Sequence, residues 1–147
     1  MISAKFVKLV EENASKLTDE LVRDIQTNPK SDKYHQFSSK ELYQRGYEVY
    51  KNLSEWMLEK SESEVRDDYT DLGRRRYDEG IPISQVIFGL TLTKTHLIDY
   101  IKLYGLADTA VDFYQEVELF SLLSQFYDKA IYYTVCGYEA RAEEKQK

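Results

Sequence analysis

The sequence predicts an all-α protein, a single-domain bundle of about five helices with a long C-terminal helix. Three observations predict it. Only six Gly and two Pro occur in 147 residues, too few to punctuate the many short strands of a sandwich or barrel. Apolar residues recur three or four positions apart along most of the chain, the period of a helix with one buried face. Capping-box pairs, a Ser with a Glu three residues later, stand ahead of two periodic stretches. With 42% apolar and 31% charged residues the chain can build a core and is no disordered tail. One domain over residues 1–147 is expected, without repeats or low-complexity blocks.

The first predicted helix carries Phe6, Val10, Ala14, Leu17, Leu21 and Ile25 on one face. Asn28 and Pro29 stop it, and the polar stretch Lys30 to Phe37 reads as a loop. Ser38 with Glu41 opens the second helix, whose stripe is Leu42, Gly46, Val49, Leu53 and Trp56 or Met57. A glycine on that stripe costs about 1 kcal/mol relative to Ala and predicts a close neighbouring helix. Ser61 with Glu64 opens the third, with Val65, Tyr69, Leu72 and Arg76 on one side. Along it Asp71 and Arg75, Arg74 and Asp78, and Arg75 and Glu79 are spaced as exposed ion pairs.

Gly80 has the position of a left-handed helix terminator, and Pro82 suits the first turn of the next helix. That fourth helix, Ile83 to Tyr104, is apolar on more than one face and is expected to be central. Gly105 ends it and Asp108 is placed to cap the fifth. The fifth helix repeats at Ala110, Phe113, Val117, Phe120, Ser124, Tyr127, Ile131, Thr134 and Tyr138, a heptad-like stripe about 45 Å long. Such a stripe outruns a compact domain, so Phe120, Tyr127, Ile131 and Tyr138 are candidate contacts with a second copy, and a homodimer is expected. The polar residues 141–147 read as a frayed tail.

Twenty basic and 26 acidic residues leave a net charge of −6, so nothing draws the chain onto nucleic acid. The start, with Lys5, Lys8, Glu11 and Glu12 inside its apolar pattern, lacks the apolar run of a secretory signal. No stretch has the roughly 18 apolar residues of a spanning helix. Cys136 is the one cysteine, which excludes an internal disulfide and cysteine-based zinc sites and points to the cytoplasm. Among its tyrosine neighbours it reads as a small buried or half-buried residue.

Chemistry-bearing residues are sparse. His35 lies in the loop and His96 in the fourth helix, where Asp99 and Tyr100 are helix neighbours. No G-x-S-x-G turn provides a nucleophile, no Glu-x-x-His pair suits a di-iron bundle, and the glycines do not cluster as a phosphate loop. No enzyme activity, cofactor or metal is expected. Two alternatives rest on His96: a haem or small-ligand sensor, and a small enzyme. The thirteen tyrosines read as amphipathic fillers at the edges of a core, with an aromatic ligand pocket or an interface as the other reading. Arg74, Arg75 and Arg76, flanked by acids, read either as surface ion pairs or as a regulatory contact with one Arg buried against a neighbouring carboxylate.

The stretch LGRRRYDEGIPISQVIFGLTLTKTHLIDYI, Leu72 to Ile101, resembles the central signature of the RsbRD amino-terminal domain family, the helical sensory modules of bacterial RsbT co-antagonist proteins. Gly73, Arg74, Arg76, Glu79, Gly80 and Pro82 carry the likeness, with Ile81 and Ile83 around the proline. The resemblance is motif-specific over these thirty residues and elsewhere holds in helix order. It implies a non-enzymatic signalling input domain of the stress response, usually joined to a STAS, histidine-kinase or transcription-regulator output. It also implies a kinase or STAS-type protein partner, and no haem. The output part is absent here, so the chain is expected to be either a piece of a longer protein or a stand-alone regulator, and the numbering from Met1 with an ordinary polar tail favours the latter.

Overall fold

The computed structural model describes residues 4–147, apart from the side chain of Leu58; the first three residues of the predicted domain lie outside the described residues. The fold is all-α. Among the described residues there are six α-helices: α1 (Ala4–Glu12), α2 (Ala14–Thr27), α3 (Ser39–Lys51), α4 (Glu62–Asp78), α5 (Ile83–Tyr104) and α6 (Ala110–Gln146).

The expected count of five becomes six because the first predicted helix is broken at Asn13, whose backbone leaves helical geometry (φ −112°, ψ 20°). Its side-chain amide donates to the Leu9 carbonyl at 2.8 Å, a local bond that competes with the helix ladder. The buried face runs through the break unchanged, from Phe6 and Val10 to Ala14, Leu17 and Leu21. The segment read as a loop is wound into 3-10 turns over Pro29–Gln36. Ser31 is fully buried there, its hydroxyl donating to the Ile25 carbonyl at 2.7 Å. The second predicted helix stops at Lys51 and resumes as a single wide turn over Glu55–Glu59. There the Lys60 amide bonds the Glu55 carbonyl at 3.0 Å, and Trp56 swings over the core.

Both serine caps form. Ser38 accepts from the Glu41 amide at 3.2 Å, and Ser61 makes the full reciprocal box with Glu64. The cap of α6 is Thr109, not Asp108, because the Thr109 hydroxyl accepts from the Asp112 amide at 3.0 Å. Gly105 ends α5 with ordinary right-handed geometry, and the left-handed residue is Leu106 (φ 40°). Gly105 is small for another reason: a Cβ there would come within 2.9 Å of the Phe6 ring.

α6 has 37 residues, roughly 55 Å. Its C-terminal half lies parallel to α4, since Tyr69 meets Phe126, Gly73 meets Thr134 and Asp78 meets Arg141. α5 is partly exposed along much of its length and packs against α2, α6 and the 3-10 segment. Its most buried residues are Val86, Leu97 and Ile101.

Two corrections concern α6. The core-facing residues are Leu119, Leu123, Phe126, Tyr127, Ala130, Thr134 and Gly137. This stripe sits mostly one position before the predicted one, because small residues at 130, 134 and 137 let α4 approach. Residues 141–146 are helical, not frayed, as Arg141 bonds Asp78 at 2.9 Å and Glu144 at 3.0 Å.

Candidate functional site

The turn from α4 to α5 builds the charged end of the site. Gly80 takes φ +76°, which a residue with a Cβ adopts only at a cost. The Gly80 amide then bonds the Tyr77 carbonyl at 2.9 Å and the Ile81 amide bonds that of Arg76 at 3.1 Å, the paired closure of a Schellman motif. This seats Ile81 in the core, fully buried, and holds Glu79 at the helix end.

There Glu79 receives two arginines. Arg45 on α3 donates to both carboxylate oxygens, at 3.3 and 2.6 Å, and Arg76 donates to Oε1 at 2.8 Å. Burial alone would raise the Glu79 carboxyl, but hydrogen bonds and charge from Arg45 and Arg76 outweigh it and hold it below the usual range. Arg76 is buried, and Arg45 stacks over Phe37 with its guanidinium 4.4 Å from the ring centre. Tyr34 backs the cluster. Burial raises its hydroxyl above the usual range, against the pull of the Arg76 charge and hydrogen bond. Gly89 on α5 lies beside it, where a Cβ would make only an ordinary contact, 3.6 Å from the Tyr34 hydroxyl.

From this cluster a groove of about 1030 Å³ runs between α3 and α4. It exists because α3 packs on α2 and α4 packs on α6, leaving the two helices apart. Charged side chains including Arg45, Arg74 and Arg75 border it, and Leu21, Ile25, Leu72, Val86 and Leu90 supply apolar surface. Trp56, Tyr69 and Tyr127 line it as well. Trp56, Tyr69 and Phe126 pack edge-on with ring centres 5.7 to 6.4 Å apart, a favourable arrangement of ring quadrupoles. Phe126 in turn meets Tyr127 at 5.3 Å.

The motif residues converge on this region without forming the predicted mesh along the helix. Arg74 pairs with Glu144 at 3.6 Å and Asp78 with Arg141 at 2.9 Å, both across to α6. Arg75 reaches the Asp71 backbone carbonyl at 3.4 Å. Gly73 faces α6, and Pro82 caps α5 through its carbonyl, which accepts from the Gln85 and Val86 amides.

The candidate interface residues separate. Phe120 and Ile131 are half-buried, whereas Tyr127 is 1% exposed and out of reach of another chain. Tyr138 is occupied within the molecule, donating to the Ile81 carbonyl at 2.7 Å and packing edge-on with Tyr77. His96 is partnered through Nε2 by Asp24 of α2 at 2.9 Å, not by Asp99, which is exposed. Cys136 is exposed, contrary to its reading as a buried residue. Among the described residues no helix is long and apolar enough to cross a membrane.

Sequence reasoning missed Arg45, Tyr34 and the role of Tyr127 in the groove wall. Arg45 follows Leu42 by three and precedes Gly46, so it borders the buried stripe of its helix; that position was the available signal. Tyr34 lay in a segment read as a loop, where periodicity is silent.

A profile of the family described as histidine kinase N terminal matches residues 3–140. The likeness noted over Leu72 to Ile101 therefore stands at the level of a helical signalling domain. Neither a curated protein nor a solved structure matches the chain.

Proposed function

The chain belongs to the histidine kinase N-terminal family, and from that premise we propose that it is a non-enzymatic input module which passes a signal on by changing its contacts with other proteins. It is a sensory module of the histidine-kinase type. The finer reading, a bacterial cytoplasmic regulator of the stress response that works beside a kinase or STAS-type partner, draws its support from the RsbRD-like stretch.

The observation that carries protein contact as the mode of action is the start of α6. Residues Val111, Phe113, Tyr114 and Val117 are 64, 59, 74 and 66% exposed, and no residue from 110 to 118 is buried. Leu103 in the last turn of α5 and Leu106 just beyond it are 72 and 71% exposed. These side chains, with Tyr104, amount to several hundred Å² of apolar surface, on the order of the roughly 800 Å² per partner that a stable interface covers. A second copy of the chain is the occupant we assign, since two-fold homodimers with isologous interfaces are the commonest assemblies of soluble proteins. The contact proposed here lies toward the helix start, ahead of the expected Phe120–Tyr138 stretch.

Sedimentation velocity over micromolar to high-micromolar concentration tests it. A dimer that dissociates in Val117→Glu, with helicity unchanged, is expected; a monomer throughout would overturn the contact. Both His96 readings have less support, because Nε2 is engaged by Asp24 and His96 does not line the groove.

A further inference from the structure

α3 and the wide turn after it meet α4 at both ends of the groove and stand apart from it between. At one end Arg45 reaches Glu79 at 2.6 Å; at the other Trp56 packs on Tyr69 with ring centres 5.7 Å apart. From Tyr69 to Arg76, about two turns or roughly 10 Å of α4, the trough is open. Val49, Trp56, Leu72 and Leu90 line it and are only half-buried, so their apolar surface can be reached from outside.

The lips of the trough are acidic. Between Glu41 and Asp71 acids outnumber bases nine to four, so this stretch carries most of the chain's net charge of −6. Of the charged side chains that line the groove, Arg45 and Arg76 are held by Glu79, Lys60 by Asp68, Arg74 by Glu144 and Asp78 by Arg141. Glu41, Glu48 and Asp71 also line it, are exposed, and have no ion pair among the described residues. Glu48 accepts only the neutral Asn52 amide, at 3.2 Å. A single exposed cation of the lining, Arg75, stands against these three, and its guanidinium is turned to the Asp71 backbone carbonyl at 3.4 Å. We propose that the groove docks a basic amphipathic helix of a partner protein, whose apolar residues fill the trough while Lys or Arg on its flanks face Glu41, Glu48 and Asp71.

Length and charge select this occupant. Two open turns accept anchors at i, i+4 and i+7, which span about 10 Å along a helix. A helix brings its own backbone hydrogen bonds to an apolar floor, whereas an extended segment would set unpaired amides on it. Three carboxylates without a counter-ion attract a cationic partner, and salt weakens that attraction. The inference rests on the chain acting through protein contacts, but not on the second copy assigned to α6, since no residue from 103 to 118 lines the groove.

Trp56 is the single tryptophan and lines the groove, so its fluorescence reports occupancy. The test titrates the full chain, at low salt, with a tryptophan-free helical peptide of about 16 residues that carries Leu at i, i+4 and i+7 and Lys on both flanks. Saturation in the micromolar range is expected. A peptide with Ala at the three anchors, and one with Glu for each Lys, should each bind at least about tenfold more weakly. The exposed triple variant Glu41→Gln, Glu48→Gln, Asp71→Asn should lose about fivefold in affinity and much of the salt dependence. Val49→Lys, which puts a charge on the floor, should abolish the response with helicity unchanged; if it unfolds the chain, the triple variant decides. Val117→Glu, which removes the α6 contact, should bind the peptide as wild type does. The docking site is overturned by a signal that does not saturate, by equal binding of the Ala-anchored peptide, or by binding that is unchanged in the triple variant or in a folded Val49→Lys. The basic class of partner is overturned by a Glu-flanked peptide that binds as tightly as the Lys-flanked one.

Discussion

Gly73 on α4 lies directly against the backbone of Thr134 on α6, so that a Cβ at position 73 would overlap the Thr134 carbonyl oxygen. Gly137 returns the relationship: a Cβ there would overlap the carbonyl of Thr70. The two helices are in backbone contact, and neither can yield by turning a side chain. Gly73→Ala is expected to destabilise by about 2–3 kcal/mol, overpacking outweighing the helix preference for Ala. Gly89→Ala is the control. Its Cβ would meet only the Tyr34 ring and hydroxyl at 3.6 Å or more, and the substitution should stabilise by up to about 1 kcal/mol. Urea denaturation midpoints of the two variants should move in opposite directions, and a shared direction would refute the reading of α4 against α6.

Glu79 makes part of the stability pH-dependent. Its carboxyl titrates lower in the folded chain than when unfolded because two arginines hold the charged form, so the native state gives up that proton more readily. The contribution is complete above the unfolded value of about 4.3 and is lost as pH falls through the lower folded value. Glu79→Gln should cost about 1–2 kcal/mol at pH 7, less than for a fully buried pair because the carboxylate keeps some solvent contact. The gap between variant and wild type should then close as pH is lowered toward 3 in thermal melts, and a gap constant from pH 7 to 3 would count against the Arg45–Glu79–Arg76 cluster.

Removing the unpartnered Tyr127 hydroxyl should stabilise the chain. Tyr127→Phe is expected to gain about 1 kcal/mol, the desolvation cost of an unpaired buried group. Tyr50→Phe should lose a similar amount, because its hydroxyl bonds the Thr93 carbonyl. Calorimetric melting temperatures decide the matter: a Tyr127→Phe protein that melts below wild type means the hydroxyl already has a partner.

Cys136 is exposed on α6, more than 25 Å along the helix from Val117 by about 1.5 Å per residue. Iodoacetamide should therefore alkylate it completely in the native protein, in the dimer as well as the monomer, with helicity unchanged by circular dichroism. Protection released only by denaturant would contradict the observed rotation of α6.

Much of the architecture is legible in local patterns. The three- and four-residue periods place helices, Ser38 and Ser61 mark starts, and Gly80 marks a stop, because each acts through groups within about one turn. The face that α6 buries was less legible. Its apolar residues fill two adjoining stripes, and the choice of Leu119, Leu123 and Ala130 over Phe120, Ser124 and Ile131 depends on how closely α4 can approach. The candidate site was legible only in part: Arg76, Glu79 and Gly80 lie within one motif, but Arg45 and Tyr34 come from α3 and the 3-10 segment.

What the sequence determined by itself, then, is a helical chain with a tight Gly80–Pro82 joint and one long final helix. The tertiary structure alone decided that Arg45 and Arg76 share Glu79, that Arg74 and Asp78 pair with α6 instead of along α4, and that Tyr127 is enclosed without a partner beside a groove. The reason is range: helix period and capping are settled by neighbours in the chain, whereas the partner of a charge or a hydroxyl is settled by which faces meet when helices pack.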